Sequence, residues 1–384
     1  MENIKIKSLG PIKEADINFG DLTLFVGPQA SGKSILLQLI KLLVDKNNIE
    51  TTINAYGYVW GSNEDDNLER FYGEGMSGVW NESTRIQFEG KSFSRKFLSP
   101  RKNEIQTFAS EKLFYIPAQR VLCLNYGWPR FFSDFEDSVP FVLRNFSETL
   151  RQYLERGFTH DQSAVFPQKG HDNEPLCYSF DDSIFHGGRV TVDLLTKKRL
   201  KLNINDMSLP FMTWSAGQKE FMPLLLGFYW LTDTKTGQRR GVNYVIIEEP
   251  EMGLHPHAIK SVILQIVNLL SRGYKVIVST HSPILLEFAW AFNILKEAKA
   301  DSKAFTELFD LDKKGDYSTV FGNEFINKTI NTYYFDRKDE GVIVKDISSL
   351  DAGNEDPAVA EWGGLSSFAS KAADIVSTIA ANNG

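Results

Sequence analysis

The chain has 384 residues, of which 42% are hydrophobic and 24% charged, and its net charge is -7. This length accommodates one large domain with insertions or two domains, and the composition is that of a folded globular protein rather than a disordered one. No apolar stretch approaches the roughly 20 residues that a membrane span requires, and the first residues lack the features of a signal peptide. We therefore expect a cytoplasmic protein without membrane association.

The cysteines and the charge restrict the chemistry further. Cys123 and Cys177 have no C-x-x-C partner, which fits a reducing compartment and provides neither a disulfide nor a zinc framework. The negative net charge gives no general attraction to nucleic acid, although the basic strip at 197–199 could contact phosphate. Such strips are more often solvated strand ends. Nucleic acid therefore stays an alternative partner that the charge does not indicate.

Signals for a strand, a loop and a helix follow one another from residue 22 to residue 40. The β-rich run 22–26 leads into G-x-x-x-x-G-K-S at 27–34, and apolar residues then recur at helical spacing. Glycines let the loop turn its N–H groups towards phosphate oxygens, and the helix N-terminus adds a positive dipole end. Lys33 can supply charge to the β- and γ-phosphates, and Ser34 a hydroxyl ligand to Mg²⁺. The predicted nucleotide-binding residues are Gly27, Pro28, Gln29, Ala30, Ser31, Gly32, Lys33 and Ser34.

Two later apolar strands end in residues suited to phosphate chemistry. The run 243–247 is typical of a buried parallel strand and ends in Glu248 and Glu249. Acids at the carboxyl end of such a strand lie beside a phosphate loop, so Glu248 is predicted to hold magnesium and Glu249 to activate the attacking water. The run 275–279 leads to His281, which could contact the γ-phosphate. Alone, such a histidine is more often a turn residue, and only its spacing from the other motifs favours function.

The segment 215–218 opens an apolar-periodic helix. Ser215 is a good N-cap, and an ordinary capped helix would explain the pattern by itself. A serine hydroxyl, a slim glycine backbone and a helix dipole also suit a γ-phosphate delivered by another subunit. The predicted contacts of this segment are Ser215, Ala216, Gly217 and Gln218.

In order and spacing, the loop at 27–34, the segment 215–218, the strand end at 246–249 and His281 resemble the ABC-type ATPases. The opening strand and the segment 248–256 are more similar to the head domains of SMC, RecF and OLD-type proteins than to transporter subunits. The chain departs from these patterns at Ala216, where the ABC signature usually has glycine, and at Gly253, where many OLD-type chains have histidine.

The resemblance implies an α/β P-loop fold, an ABC-ATPase head with a mixed or parallel sheet core and β-hairpin plus helical insertions. It implies that Mg-ATP is sandwiched between two copies of the chain, in a homodimer or higher oligomer, with Lys33, Glu249 and His281 catalytic. It also makes Gln119 a candidate metal-linking glutamine, for which a structural turn is an equal alternative. The neighbouring Arg120 could reach a phosphate, because guanidinium pairs well with phosphate oxygens.

The head is predicted to span residues 1–335. Within it, 46–109 is expected to be a β-rich insertion and 126–184 an aromatic and helical one, with a helix at 141–153. A β-hairpin at 189–204 then delivers the helix that starts at Ser215. The tail, 336–384, carries an acidic loop and an amphipathic terminal helix that covers either its own head or another subunit.

OLD-type nucleases add a Toprim domain after the ATPase, and the 49 residues (384 minus 335) that follow Phe335 are too few for one. We therefore expect a sensor or regulatory ATPase of a bacterial or phage-defence system that controls a separate effector, such as a Toprim or other nuclease. The alternatives are a DNA-repair or recombination ATPase and a non-hydrolysing, ATP-gated scaffold. A transporter subunit is the least favoured.

Overall fold

The computed structural model describes residues 1–100, 110–168, 174–195, 197–233, 237–311, 320–322 and 325–383. Its strands are β1 (Asn3–Leu9), β2 (Ile12–Asn18), β3 (Leu22–Val26), β4 (Arg85–Phe88), β5 (Lys91–Phe93), β6 (Leu113–Ile116), β7 (Leu124–Asn125), β8 (Trp128–Pro129), β9 (Ala164–Phe166), β10 (Arg189–Asp193), β11 (Arg199–Ile204), β12 (Met207–Pro210), β13 (Tyr244–Glu248), β14 (Lys275–Ser279), β15 (Ile330–Lys338) and β16 (Gly341–Asp346). Its helices are α1 (Lys33–Ala55), α2 (Glu64–Tyr72), α3 (Phe141–Gly157), α4 (Glu174–Phe180), α5 (Ala216–Thr232), α6 (Pro256–Ser271), α7 (Pro283–Glu297), α8 (Ser302–Leu308), α9 (Pro357–Ala360) and α10 (Ser367–Asn383). None of these described helices is long and apolar enough to cross a membrane.

The main sheet has the strand order β5-β4-β1-β2-β16-β15-β3-β14-β13-β6. Its centre is parallel, because β15, β3, β14, β13 and β6 all run in one direction. The β1–β2, β1–β4 and β15–β16 pairs are antiparallel, so the whole sheet is mixed. The predicted α/β P-loop fold is thereby confirmed. The carboxyl ends of β3, β14, β13 and β6 meet at one edge of the sheet, where the predicted motifs begin.

Two apolar cores cover the two faces of this sheet. Successive strand residues point to opposite faces, so Val245 and Ile247 of β13 pack into the core with α5, α6 and α7. Ile246 packs on the other side with α1 and the amino-terminal strands. Because both faces are covered, the central strands read as continuous apolar runs, which is why they were recognisable in the sequence.

A second lobe carries the insertion between β6 and α5. It contains α3, which matches the helix predicted at 141–153, and an antiparallel sheet in the order β12-β11-β10-β9. The hairpin predicted at 189–204 is β10 with β11, and its strands pair in register from Arg189 opposite Asn203. Residues 169–173 of the predicted insertion at 126–184 lie outside the described part of the chain.

The β-rich insertion predicted at 46–109 is found only as the short β4–β5 hairpin, and residues 101–109 lie outside the described residues. Instead, α1 continues to Ala55 and α2 follows it. The helix continues because Ile49 and Ile53, one turn apart, are both buried against the core. The surrounding polar residues masked this spacing in the sequence.

The predicted boundary at residue 335 falls inside β15, which pairs with β3 in the main sheet, so the sheet extends to Asp346. Beyond it, the described large apolar side chains of α10 are exposed. Phe368 is 84% exposed and Val376 66% exposed. The described side chains of this helix therefore do not pack on their own head, which leaves the other predicted role, a contact with another subunit, as the open alternative.

Candidate functional site

The phosphate loop joins β3 to α1 at the edge of the sheet. Three of its residues have a positive φ, namely Gly27 at 145°, Ala30 at 56° and Gly32 at 92°. At Gly32 a side chain is also excluded by packing, since a Cβ would lie 2.9 Å from Ile12 and from Pro11. The loop therefore requires glycine at this position for both its backbone conformation and its close approach to the turn between β1 and β2.

Lys33 is buried at the start of α1. Its Nζ donates to the carbonyl oxygens of Gly27, at 2.8 Å, and Pro28, at 3.0 Å, and lies 3.3 Å from His281 Nε2. Burial lowers the pKa of Lys33, and the neighbouring Glu249, Glu248 and Glu251 oppose that shift. The ammonium group thus lies inside the phosphate loop, as its predicted contact with phosphates requires.

Glu249 follows β13 directly, and its Oε1 lies 3.2 Å from His281 Nε2. Burial, followed by the charge of Glu251, raises the pKa of Glu249 to about 8. Burial and the adjacent Lys33 lower the pKa of His281. Lys33, His281 and Glu249 therefore form one continuous set, although they come from three different strand ends.

Glu248 is buried beside the loop. Its Oε2 accepts a hydrogen bond from the backbone N–H of Ala118 at 3.2 Å, while Oε1 makes no hydrogen bond of good geometry within the described residues. Burial raises the pKa of Glu248, and the hydroxyl groups of Ser34 and Tyr115 beside it oppose the rise. A free carboxylate oxygen next to a serine hydroxyl is an all-oxygen donor set that fits Mg²⁺.

Glu251 is a site residue to which the sequence assigned no role. Its Oε1 accepts hydrogen bonds from Thr280 Oγ1 at 2.7 Å and from the backbone N–H of His281 at 2.6 Å. The carboxylate therefore ties the turn after β13 to the turn after β14. The signal available in the sequence was a third acid in the run 248–251, which alone does not identify the groups that donate hydrogen bonds to it.

Ser215 caps α5 as predicted. Its Oγ accepts from the backbone N–H of Gln218 at 3.2 Å, and its own N–H donates to Gln218 Oε1 at 3.2 Å, which is a capping box. Gln218 also donates to the carbonyl of Ile184 at 3.1 Å. Ser215 and Ala216 are exposed, so the start of the helix is accessible to another molecule.

Gln119 and Arg120 both follow β6, but Gln119 is exposed and Arg120 is buried. Gln119 is exposed, one residue after the N–H that contacts Glu248, so it lies at the predicted magnesium edge. The prediction that Arg120 could reach a phosphate is wrong. Its guanidinium is fully buried and donates to backbone carbonyls of α5 and of the turn after β13.

The basic strip at 197–199 is largely matched by its own chain. Lys198 pairs with Glu155 at 3.0 Å and Arg199 with Asp193 at 3.0 Å. Lys197 lies 4.7 Å from the ring centre of Tyr126. These contacts reduce the charge available to phosphate and favour the strand-end interpretation.

Two family models match neighbouring parts of the chain. Residues 1–119 match a family described as "AAA ATPase domain". Residues 124–287 match one described as "AAA domain, putative AbiEii toxin, Type IV TA system". Both matches contain site residues. The first match includes the phosphate loop, and the second includes residues 215–218, Glu248, Glu249 and His281.

The Old nuclease of Escherichia phage P2 is 46% identical over 55 residues, which are 14% of this chain and 9% of that protein. This chain therefore spans only a small part of the curated relative that it matches.

Solved structures that resemble the chain include an SMC head bound to the C-winged helix domain of ScpA, with TM-score 0.41, 14% identity and coverage of 90% of this chain and 96% of that one. The SMC head domain from Thermotoga maritima has TM-score 0.36, 12% identity and coverage of 90% and 98%. The ATP-binding subunit of an ABC transporter has TM-score 0.31, 14% identity and coverage of 72% and 79%. Both matched families are described as AAA domains, and with the phosphate loop between β3 and α1 they identify the chain as an AAA-type P-loop ATPase.

Proposed function

We propose that the chain hydrolyses ATP in composite sites formed between two copies of itself. The observation that carries this proposal is the continuous set of Lys33, His281 and Glu249, in which neighbouring side chains lie 3.3 Å and 3.2 Å apart. A cation, a polar ring and a carboxylate at the mouth of a phosphate loop provide charge stabilisation and water activation for phosphoryl transfer.

Each residue has a role that its surroundings support. Lys33 and the N–H groups of the loop bind the phosphates of ATP. Ser34 and Glu248 would hold Mg²⁺, with Gln119 at the same edge, and the ion supplies charge neutralisation at the phosphate oxygens. Glu249 orients and deprotonates the attacking water, for which it must be ionised; burial and the charge of Glu251 oppose the ionised form, and the adjacent ammonium of Lys33 favours it.

The second half of each site comes from another copy. The exposed start of α5 presents Ser215 together with the positive end of the helix dipole, which suits an anion. A dimer in which each α5 faces the phosphate loop of its partner completes two sites by symmetry. The monomer is then a weak ATPase.

The test is to measure mass by light scattering and phosphate release for wild type, Glu249→Gln and Lys33→Ala, with and without Mg-ATP. We expect Glu249→Gln to bind ATP, to accumulate as a higher-order species and to lose about 100-fold or more in turnover. The Lys33→Ala variant alone should neither bind ATP nor form the higher-order species. If ATP binds and Glu249→Gln turns over like wild type, the proposal fails. Binding and assembly without turnover in wild type would favour the ATP-gated scaffold.

We further propose that the ATPase cycle controls a separate effector, such as a Toprim or other nuclease. The support is family analogy, because one matched family is described as a type IV toxin–antitoxin component and the local relative is a phage nuclease. Affinity purification of Glu249→Gln with its native neighbours, with and without ATP, should recover a partner in one nucleotide state. If hydrolysis is instead stimulated by DNA with a steep salt dependence, the DNA-repair alternative replaces this proposal.

A further inference from the structure

Arg120 is a fully buried cation beside the site, with 0% of its surface accessible. Its Nε donates to the carbonyl of Glu220 in α5 at 3.1 Å. Its Nη1 donates to the carbonyls of Glu248 and Glu249, each at 3.1 Å, and its Nη2 to that of Pro250 at 3.4 Å. One side chain thus connects the first turns of α5 to three consecutive residues at the end of β13.

These acceptors require a guanidinium. Its donors project in a fixed planar fork, so they can satisfy carbonyls on two separate elements at once, whereas the ammonium of lysine is a compact point charge. Glu249, in the middle of the three residues, has a φ of 44°. Arg120 donates hydrogen bonds to the carbonyls of residues 248, 249 and 250. These bonds hold the peptide units on both sides of Glu249, whose backbone conformation glutamate rarely adopts.

A second contact joins the same two elements. A Cβ on Gly217 would lie 2.9 Å from the carbonyl oxygen of Gly253. The turn that begins with Glu249 therefore rests on the first turn of α5 at one end and is bonded to Arg120 at the other. Glu249 and Ser215 belong to one packed unit, although they would serve different nucleotides.

We propose that Arg120 is a positioning residue that links the two half-sites of one chain, so that Glu249 in its own site and Ser215, offered to a partner, take up their working positions together. This inference rests on the proposed composite-site ATPase. It gives the two nucleotide sites of a dimer a route through which each responds to the other.

The first experiment compares Arg120→Ala and Arg120→Lys with Arg144→Ala. Arg144 is a matched control, because its guanidinium is equally buried but donates to the carbonyl of Arg70, outside the site. We expect Arg120→Ala to lower kcat about 100-fold, as displaced catalytic groups do, with the Kd for Mg-ATP nearly unchanged. Arg120→Lys should recover only part of kcat. Arg144→Ala should lower Tm without lowering kcat of the folded protein.

If Arg120→Ala does not fold, Arg120→Lys carries the test, with its Tm measured beside Arg144→Ala. A lysine variant with wild-type kcat, or an alanine variant that behaves like Arg144→Ala, would overturn the proposal.

The second experiment separates the two half-sites with mixed dimers purified through two different tags. One chain carries Lys33→Ala, so only the phosphate loop of the other chain is active. Arg120→Ala is then added to either chain. If Arg120 serves both Glu249 and Ser215, phosphate release falls in both placements. A fall in only one placement would overturn the link between the half-sites.

The proposed function and this inference fail in distinguishable ways. If wild type hydrolyses ATP without assembling, the composite-site proposal is wrong whatever Arg120 does. If wild type assembles and turns over, and Lys33→Ala and Glu249→Gln abolish turnover, only the result for Arg120 decides the inference.

Discussion

Glu249 combines two features that do not favour folding. Its φ of 44° lies in the left-handed region, which costs a non-glycine residue about 1–2 kcal/mol, and its carboxyl group is partly buried next to Glu251. Such strain persists only where the surroundings hold it, here the bonds from Arg120 and the hydrogen bond from its own N–H to Ser279 at 2.9 Å. We interpret this costly arrangement as a consequence of the proposed chemistry of Glu249, since it does not contribute to stability.

A pH-dependent stability follows from the carboxyl group of Glu249. Its pKa is about 8 in the folded chain against an ordinary value of 4.5, so the unfolded chain loses this proton first as the pH rises. The stability of wild type therefore falls between about pH 4.5 and pH 8 through this group. Glutamine does not titrate, so we expect Glu249→Gln to exceed wild type in stability by an amount that grows to the order of 2–4 kcal/mol at pH 8.

Urea unfolding without nucleotide or Mg²⁺, at pH 5 and at pH 8, measures this difference. Glu82→Gln, an exposed substitution outside the site, is the control and should follow wild type at both pH values. Parallel pH profiles for Glu249→Gln and wild type would show that Glu249 is not held in its neutral form.

Part of the site could be predicted from the sequence because its residues follow apolar strands. Lys33, Glu249 and His281 each lie in the turn or loop that follows a buried strand, and parallel strands bring their carboxyl ends to one edge. Glu251 and Arg120 could not be assigned in this way. The partner of Glu251 is Thr280, 29 positions along the chain, and Arg120 meets Glu220 across 100 positions. The groups that they bond to, a hydroxyl donor and a backbone carbonyl acceptor, leave no pattern in the sequence.

At the scale of elements, α1 is tied to β6 by a buried cluster of charges. Lys41 Nζ donates to Asp45 at 2.8 Å, to Glu111 at 2.6 Å and to the carbonyl of Leu113 at 2.6 Å. Asp45 in turn accepts from the backbone N–H groups of Lys112, at 2.9 Å, and Leu113, at 3.0 Å. The helix that carries the phosphate loop is thus fixed to the strand that leads to Gln119.

Removing the cation from this cluster should be costly. Lys41→Met leaves the buried carboxylates of Asp45 and Glu111 without their partner, and breaking a buried pair in this way costs about 3–5 kcal/mol. Chemical unfolding at pH 7 measures the loss. Lys46→Met is the matched control one turn along, since Lys46 is less buried and its carboxylate partner lies 3.3 Å away, so it should cost clearly less. Equal losses would contradict the special role of the cluster.

The kink in α1 belongs to the same element and explains the error in the predicted insertion at 46–109. Asp45 leaves helical geometry, with φ at -121°, yet the helix resumes and reaches Ala55. The helix continues through the buried Ile49 and Ile53, whereas Asp45, where it deviates, accepts from backbone N–H groups 67 and 68 positions away, which leave no local signal. Tertiary contacts override local propensity here, whereas α3 and α5 were predictable from apolar spacing and a serine cap.

For the whole molecule, the division of labour between Lys33 and Ser215 predicts complementation. A chain with Lys33→Ala retains an unaltered start of α5, and a chain with Ser215→Arg retains an unaltered phosphate loop. In the proposed composite-site dimer, each site takes its loop from one chain and its helix start from the other, so a dimer of the two variants has one site built from intact halves. Neither variant alone should hydrolyse ATP. Each mixed dimer has one working site of two, so the mixture should recover roughly a quarter of wild-type turnover per chain if all chains pair at random, and up to about half if only mixed dimers assemble.

The matched control for this experiment places both lesions in the same half-site. Lys33→Ala mixed with Glu249→Gln leaves no loop with both groups intact, so no pairing restores turnover. Phosphate release is measured for each variant, for both mixtures and for wild type, with mass by light scattering to establish that mixed species form. Because only sites shared between chains can be repaired by mixing, recovery in the first mixture and none in the second requires that Ser215 act on the partner's nucleotide. If mixed dimers form but stay inactive in both mixtures, Ser215 and Lys33 of one chain instead act on the same nucleotide.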